Sequence, residues 1–321
     1  MRANELALRG LANDADGQFR ISAIGHPGVS EVVDQMVREG CKARQIPVTP
    51  DGAIDREQLE NHLNEATRLV SVIWGNNETG ILQDIAPIVD LCRKHNVPLH
   101  TDAVQVVGKL PIDFHKLGVA ALSLSAHKFH GPRGIGALLM RNDISLQPLL
   151  RGGFQQMGFS AGTEPVELIV GMFAALQIWH QQSKSWLAHM KQRRDQREHH
   201  FRQAGAAIVI HCNDQDRLPH TTSASFPGVD RQPLVMALDL AGVACSTGSA
   251  CASGSSEPSP VLLAMGLPEE LIGSALRFSV SAFTSPADVD LAARRILQVY
   301  RDLRHKNEAR KRGSGPRTRV V

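Results

Sequence analysis

The chain lacks a long hydrophobic run. Its longest charge-free apolar stretch, Leu168 to Trp179, is shorter than the ~20 residues that cross a bilayer. The N-terminus has no apolar h-region of the kind that marks a secretory signal. Both absences point to a cytoplasmic protein with no membrane partner, and the run itself reads as part of a core helix. Cysteine is sparse: five residues, at 41, 92, 212, 245 and 251, with no CxxC pair. That usage argues against a disulfide framework or a zinc knuckle. The fourteen histidines include no HExxH or comparable ligand spacing, so no metal site is expected. Charge of one sign is also scarce, and a formal net charge of +3 is too small to demand nucleic acid.

What is present is an alternation of short apolar runs and amphipathic stretches. Strands are expected at Arg20–Ala23, Gln45–Val48, Leu69–Trp74, Val97–Thr101 and Val119–Ser125, with one more in the hairpin-like Gly134–Arg141. Pro98 is tolerable because it falls at a strand start. Helices are expected at Val29–Glu39, Asp55–Glu65 and Ile85–His95, with a half-turn near Phe114. This pattern implies an α/β fold with a mainly parallel sheet and right-handed crossovers. After Pro165 the character changes. A long helical stretch from Val166 to about Gln203 leads to strand signals at Ala207–His211, Thr222–Phe226 and Leu276–Val280. Helices there are expected near Gln232–Ala241, Pro260–Met265 and Pro286–Leu303.

Three of the early strands end in polar turns. Leu69–Trp74 runs into Gly75-Asn-Asn-Glu-Thr-Gly80, Val97–Thr101 delivers Asp102, and Val119–Ser125 delivers His127 and Lys128 ahead of Gly131-Pro-Arg-Gly134. Each turn alone reads as a helix cap or a surface lysine. Together, at the carboxyl ends of parallel strands, they read as one ligand site. A lysine there can form a Schiff base with an aldehyde cofactor. An aspartate there can keep a pyridine nitrogen protonated, as pyridoxal phosphate (PLP) requires. Cys251 lies in Ser246-Thr-Gly-Ser-Ala-Cys-Ala-Ser-Gly-Ser-Ser-Glu-Pro258, whose small and polar residues favour a mobile loop over a packed core. Cys245, after Gly242-Val-Ala, fits a buried small hydrophobe better.

Asn76-Asn-Glu-Thr-Gly, His100-Thr-Asp-Ala-Val-Gln, Ser125-Ala-His-Lys and Gly248-Ser-Ala-Cys together resemble the cysteine desulfurases, fold-type I PLP enzymes of the class V aminotransferase group. The resemblance runs from about Ala3 to about Val299, with its motifs in family order. It implies that His26 stacks on the cofactor ring and Asn77 contacts the ring oxygen or the substrate. Asp102 would pair with the pyridine nitrogen and Gln105 with the phenolic oxygen. Ser125 and His127 would bind phosphate, and Lys128 would carry the cofactor as a Schiff base and act as proton shuttle. Thr163 matches a threonine that reaches the neighbouring subunit's phosphate. Arg277 matches the clamp on the substrate α-carboxylate, a role suited to a planar guanidinium. Cys251 would take sulfur from L-cysteine as a persulfide, releasing alanine, and hand it to an acceptor protein. The implied state is a homodimer.

The resemblance also implies a large cofactor domain at 1–165, a bridging helix with a smaller α+β domain at 166–303, and a tail at 304–321. That tail contains seven Lys or Arg and Gly313-Ser-Gly-Pro, and its composition reads as disordered. The match opens just past the family's N-terminal phosphate loop, and Met1 stands where the family has a threonine, so the chain reads as N-terminally shortened. Met157, Ser160 and Ala282 replace family arginines. Two alternatives stay open: a selenocysteine lyase or another class V lyase with the same cofactor, and a non-catalytic scaffold that keeps the fold.

Overall fold

The computed structural model describes residues 1–11, 17–205, 207–248 and 257–313, with side chains through Arg310. The chain folds into two compact units. The first comprises Met1–Asn77, Ile81–Leu187 and Asp214–Leu218; the second comprises Glu78–Gly80, Ala188–Asn213 and Pro219–Val321. A linear division at residue 165 therefore differs from the observed units, each of which is assembled from several stretches of chain.

The first unit is built on a six-stranded sheet of order β2-β1-β3-β4-β5-β6. Its strands are β1 (Gln18–Ser22), β2 (Lys42–Ile46), β3 (Thr67–Ile73), β4 (Leu99–Asp102), β5 (Ala121–Ser125) and β6 (Gly136–Met140). Strands β1 to β5 pair in parallel, and β6 runs antiparallel to β5. All four β4 residues are buried, as are six of the seven in β3. That explains why they read as continuous apolar runs: a parallel strand is covered on both faces. Strand β2 differs. Its first four residues, Lys42-Ala-Arg-Gln45, are exposed, as suits a charged edge strand, and the sequence pattern placed it three residues too late.

Helices α1 (Arg2–Leu11), α2 (Pro27–Arg38), α3 (Arg56–His62), α4 (Ile85–Lys94) and α5 (Phe114–Leu117) flank the sheet strands in sequence. Local chemistry sets their starts. His26 caps α2 and Pro27 opens it, a position where the missing N–H costs nothing. Asp55 caps α3 by accepting from the Gln58 N–H at 3.0 Å. Helix α1 had no counterpart among the sequence expectations, although Asn4, Ala7, Leu8 and Leu11 form a buried stripe at helical spacing. Val70, Val72, Ile88, Val106, Leu122 and Leu124 belong to one side of the core; Ala7, Leu8, Phe19, Val33 and Leu69 belong to the other.

The second unit carries an antiparallel sheet of order β7-β8-β9: Val209–Ile210, Thr221–Ser225 and Ala275–Ser279. Its helices include α7 (Arg231–Leu240), α8 (Pro260–Ala264), α9 (Glu269–Gly273) and α10 (Pro286–Gly313). Phe201, Phe226, Phe278 and Tyr300 meet edge to face, with ring centroids 5.3 to 6.1 Å apart, the arrangement aromatic quadrupoles favour. The Tyr300 hydroxyl donates to the Pro227 carbonyl at 2.9 Å. The buried Arg197 donates to Thr222 Oγ1 at 2.8 Å, and that hydroxyl donates to Glu198 Oε1 at 2.7 Å. Opposite charges are thus bridged through one hydroxyl, which satisfies groups that would otherwise be costly to bury.

Two sequence expectations need correction. Helix α6 (Val166–Gln203) forms as expected, but only one face of its apolar run is core: Met172, Ala175 and Leu176 pack against the core of the first unit, while Val170, Phe173 and Ile178 are 52 to 60% exposed. Helix α10 continues ten residues past Leu303. Arg304 pairs with Glu308 at 3.1 Å and Asn307 donates to the Gly228 carbonyl at 3.0 Å, contacts that hold a polar segment helical where composition suggested disorder. Residues 314–321 lie outside the described residues.

Gly108, after β4, has φ of 72°, and a Cβ built there would stand 2.2 Å from Phe129 Cβ. Gly108→Ala therefore combines left-handed strain with a hard clash. Chemical denaturation should show a loss of at least ~2 kcal/mol; parental stability would mean that the turn relaxes.

Candidate active site

In the first unit, the parallel order brings the turns after β1, β3, β4 and β5 out along one sheet edge. Backbone bonds tie them together. Trp74 N donates to the Asp102 carbonyl at 3.0 Å and Ala103 N to the Ser123 carbonyl at 3.0 Å. The buried Asn76 side chain donates to the Ile24 carbonyl at 2.9 Å, joining the turn after β3 to the one that carries His26.

Asp102 ends β4 and is 4% exposed. Its Oδ2 accepts from Asn4 Nδ2 at 2.7 Å and its Oδ1 from Val104 N at 3.0 Å. Both donors are neutral, so a buried carboxylate is oriented without a cationic hydrogen-bond partner among the described residues. His26 is held by its cap: Nδ1 accepts from Gly28 N at 2.9 Å, which leaves Nε2 to carry the proton in the neutral ring. Burial lowers its pKa below the ordinary imidazole value, Asp102 opposing and Lys128 adding to the fall. Asp102 and Lys128, both named from the sequence, therefore each act on His26.

Lys128 sits in a 3₁₀ turn, Ala126–Phe129, which follows β5 directly. The turn closes through Gly131 N to the Ala126 carbonyl at 2.9 Å, with His130 at φ 68°. Lys128 and His127 are exposed. Ser125 Oγ and His127 Nδ1 are 2.9 Å apart, so the hydroxyl and imidazole expected to hold phosphate are neighbours. Desolvation, then Lys128, lowers the His127 pKa. Asn77 and Gln105 are half-buried in the turns after β3 and β4. Thr163 is exposed, and among the described residues it bonds to none of the others. A cavity of about 650 Å³ lined by Thr49, Asp51, Asp55, Glu57 and Asp84 shares no residue with this set.

The second unit holds the remaining candidates. Arg277, on β9, is half-buried, and its backbone exchanges two hydrogen bonds with Ser246, at 2.7 and 3.1 Å. Buried Glu78 accepts from Ser259 Oγ at 2.6 Å. Burial raises its pKa, while Ser259 and Arg277 pull it back. Cys245 packs against the core of this unit, where burial and then Asp239 push its thiol up to about 12; that environment suits an inert thiol. Cys251 lies outside the described residues.

Sequence reasoning missed three residues. Asn4 orients Asp102, and a polar residue on the apolar stripe of α1 was the available signal. His100 is fully buried one residue before Thr101, with Nδ1 2.8 Å from Ser71 Oγ and Nε2 2.9 Å from Ser123 Oγ. It links β3, β4 and β5, and its pKa is lowered to about 4 by burial. Lys109 is buried beside the Lys128 turn.

The sequence profile of the family described as Aminotransferase class-V matches residues 1–291, and the chain belongs to that family. Its relatives there include a cysteine desulfurase from Klebsiella pneumoniae, 37% identical over 283 residues, covering 88% of this chain and 71% of the relative. Another is the cysteine desulfurase IscS of Aeromonas salmonicida, 38% identical over 307 residues, covering 94% of this chain and 75% of the relative. Among solved structures, a NifS-like protein from Rickettsia africae matches with a TM-score of 0.84 at 29% identity, over 94% of this chain and 79% of the other. The fold is thus the α/β fold of the NifS-like enzymes.

The residues present fit PLP. A buried carboxylate held by neutral donors suits a protonated pyridine nitrogen as its charged partner. An exposed lysine and a Ser–His pair lie on the same sheet edge.

His100, together with the buried His211 of the second unit, also lowered to about 4, favours the neutral ring in the folded state. Stability from both is full above pH 6.5 and is lost as pH falls toward 4. Denaturation at pH 6.5, 5.5 and 4.5 should show that decline, and His100→Gln with His211→Gln should flatten it. An equal pH slope in parent and double variant would remove these imidazoles as its source.

Proposed function

We propose that this chain is a PLP-dependent cysteine desulfurase, converting L-cysteine to L-alanine and passing the sulfur to an acceptor protein, as iron–sulfur cluster assembly requires. The observation that carries the reading is the buried Asp102 carboxylate, oriented by neutral donors and acting on His26, on which Lys128 also acts. PLP supplies an electron sink for charge that develops at the substrate Cα. Asp102 would pair with the pyridine nitrogen and His26 would stack on the ring. Gln105 would bond the ring oxygen, Asn77 would contact that oxygen or the substrate, and Ser125 and His127 would hold the phosphate. Lys128 would be the residue that carries the cofactor, and its amine would move the Cα proton of cysteine.

The guanidinium of Arg277 pairs with the substrate carboxylate. The Cys251 thiolate attacks the substrate sulfur: an S–S bond forms, the Cβ–S bond breaks, and its electron pair stays with the carbon fragment. Protonation of that fragment releases alanine. A thiol that carries sulfur must stay reduced between turnovers, which favours the cytoplasm. Among the described residues, cysteines 41, 92, 212 and 245 form no disulfide, and no helix is long and apolar enough to cross a membrane.

A second copy of the chain is the partner we infer for the first unit. Phe154, Met157, Val166, Val170 and Phe173 are 59 to 94% exposed, an apolar surface of a kind monomers rarely present. Thr163 lies within that segment, where it could reach a neighbour's phosphate. Light scattering should report a dimer mass; a monomer at micromolar concentration would refute the pairing.

Lys128→Ala should remove the yellow chromophore and leave no PLP fixed to the chain by borohydride. Cys251→Ser should keep the chromophore and lose persulfide formation from L-cysteine. Parental persulfide yield in the serine variant would place the nucleophile elsewhere.

A further inference from the structure

Lys109 stands in the turn between β4 and α5, and it is 8% exposed. Its Nζ donates to the carbonyl oxygen of Lys128 at 2.9 Å. The preceding residue, Gly108, packs its backbone against Phe129. Two consecutive residues, 108 and 109, therefore grip two consecutive residues, 129 and 128, of the 3₁₀ turn. Among the described residues no carboxylate bonds to Lys109. Lys128 is the charged group acting on Lys109, and the neighbouring His127 feels Lys128, the N-terminal ammonium, Lys109 and Arg133.

A buried ammonium with one backbone acceptor and no counter-charge is an expensive way to brace a turn. An apolar side chain of similar length would fill the space at lower cost. Burial, then the Lys128 charge, lowers the Lys109 pKa to about 7. Its unfavourable contribution is full below pH 7 and is relieved as pH rises toward the ordinary lysine value of about 10.4. What the ammonium supplies that a methylene chain cannot is a donor aimed at the backbone of Lys128.

We propose that Lys109 is a positioning residue for Lys128: by holding the Lys128 carbonyl it fixes the turn from which that lysine reaches the PLP aldehyde. This rests on the reading of Lys128 as the PLP-bearing residue. The role is geometric, since a small misplacement of a reacting group is costly, and Lys109 itself touches neither cofactor nor substrate.

The test compares the full chain with Lys109→Met, Lys109→Arg and Lys128→Ala, using PLP as the probe. Borohydride-fixed PLP is followed over time by mass, and thermal midpoints are measured at pH 6 and pH 9. Lys109→Met should melt no lower than the parent at pH 6, any advantage shrinking at pH 9, yet capture PLP on the order of 10-fold more slowly. Lys109→Arg, which keeps a donor, should capture faster than the methionine variant. Parental capture by Lys109→Met overturns the proposal. So does a lower midpoint or failure to fold at pH 6, which would make Lys109 a purely structural brace, and so does an arginine variant that folds but captures no faster than methionine. Lys128→Ala separates the two readings. If it still fixes PLP, the assignment of Lys128 falls; if it does not while Lys109→Met behaves as parent, only the role of Lys109 falls.

Discussion

Because β1, β3, β4 and β5 run parallel, each leaves the sheet along the same edge, and four turns distant in sequence become neighbours in space. Reversing any one of these strands would send its turn to the opposite edge. The hydrogen bonds from Trp74 to Asp102 and from Ala103 to Ser123 extend the ladder into the turns themselves. The candidate side chains thus stand on a rigid base, the condition for holding a reacting group in place.

Burial of polar groups is the second thread. Asp102 is steadied by an amide and a backbone N–H, His100 by two serine hydroxyls, and Glu78 by one. Asp102 and His100 are thus held by neutral partners rather than by a buried ion pair, whose desolvation often offsets its attraction. Asp102 is left able to receive a positive charge from outside the chain. In the second unit Arg197 and Glu198 share the Thr222 hydroxyl, and Glu198 also pairs with Arg202 at 3.2 Å. Lys109 is a buried charge with a single backbone acceptor, the carbonyl of Lys128, the residue proposed to carry the cofactor.

Most of the sheet was legible in advance. Strands β3, β4 and β5 are apolar runs bounded by polar turns, and Asp102 and Lys128 were found from their positions at strand ends. Edge strand β2 was read late, since its exposed Lys, Ala, Arg and Gln carry no periodic signal. The apolar stretch of α6 was read as core, and one of its faces is, because hydropathy reports composition whereas exposure depends on what else packs there. The tail beyond Leu303 was read as disordered, yet it is helical to Gly313 where Asn307 and Arg304 find partners.

Local pattern was enough to set the α/β order, the strand ends and the motifs that mark the family, because periodicity and residue type act over a few neighbouring positions. It took the folded chain to make Asn4, 98 residues upstream, orient Asp102, and to bring Lys109 back to the Lys128 carbonyl. Those bonds join chain segments whose separation leaves no local pattern. They form only when the parallel sheet brings its carboxyl edge together, and that edge carries the candidate residues of the first unit.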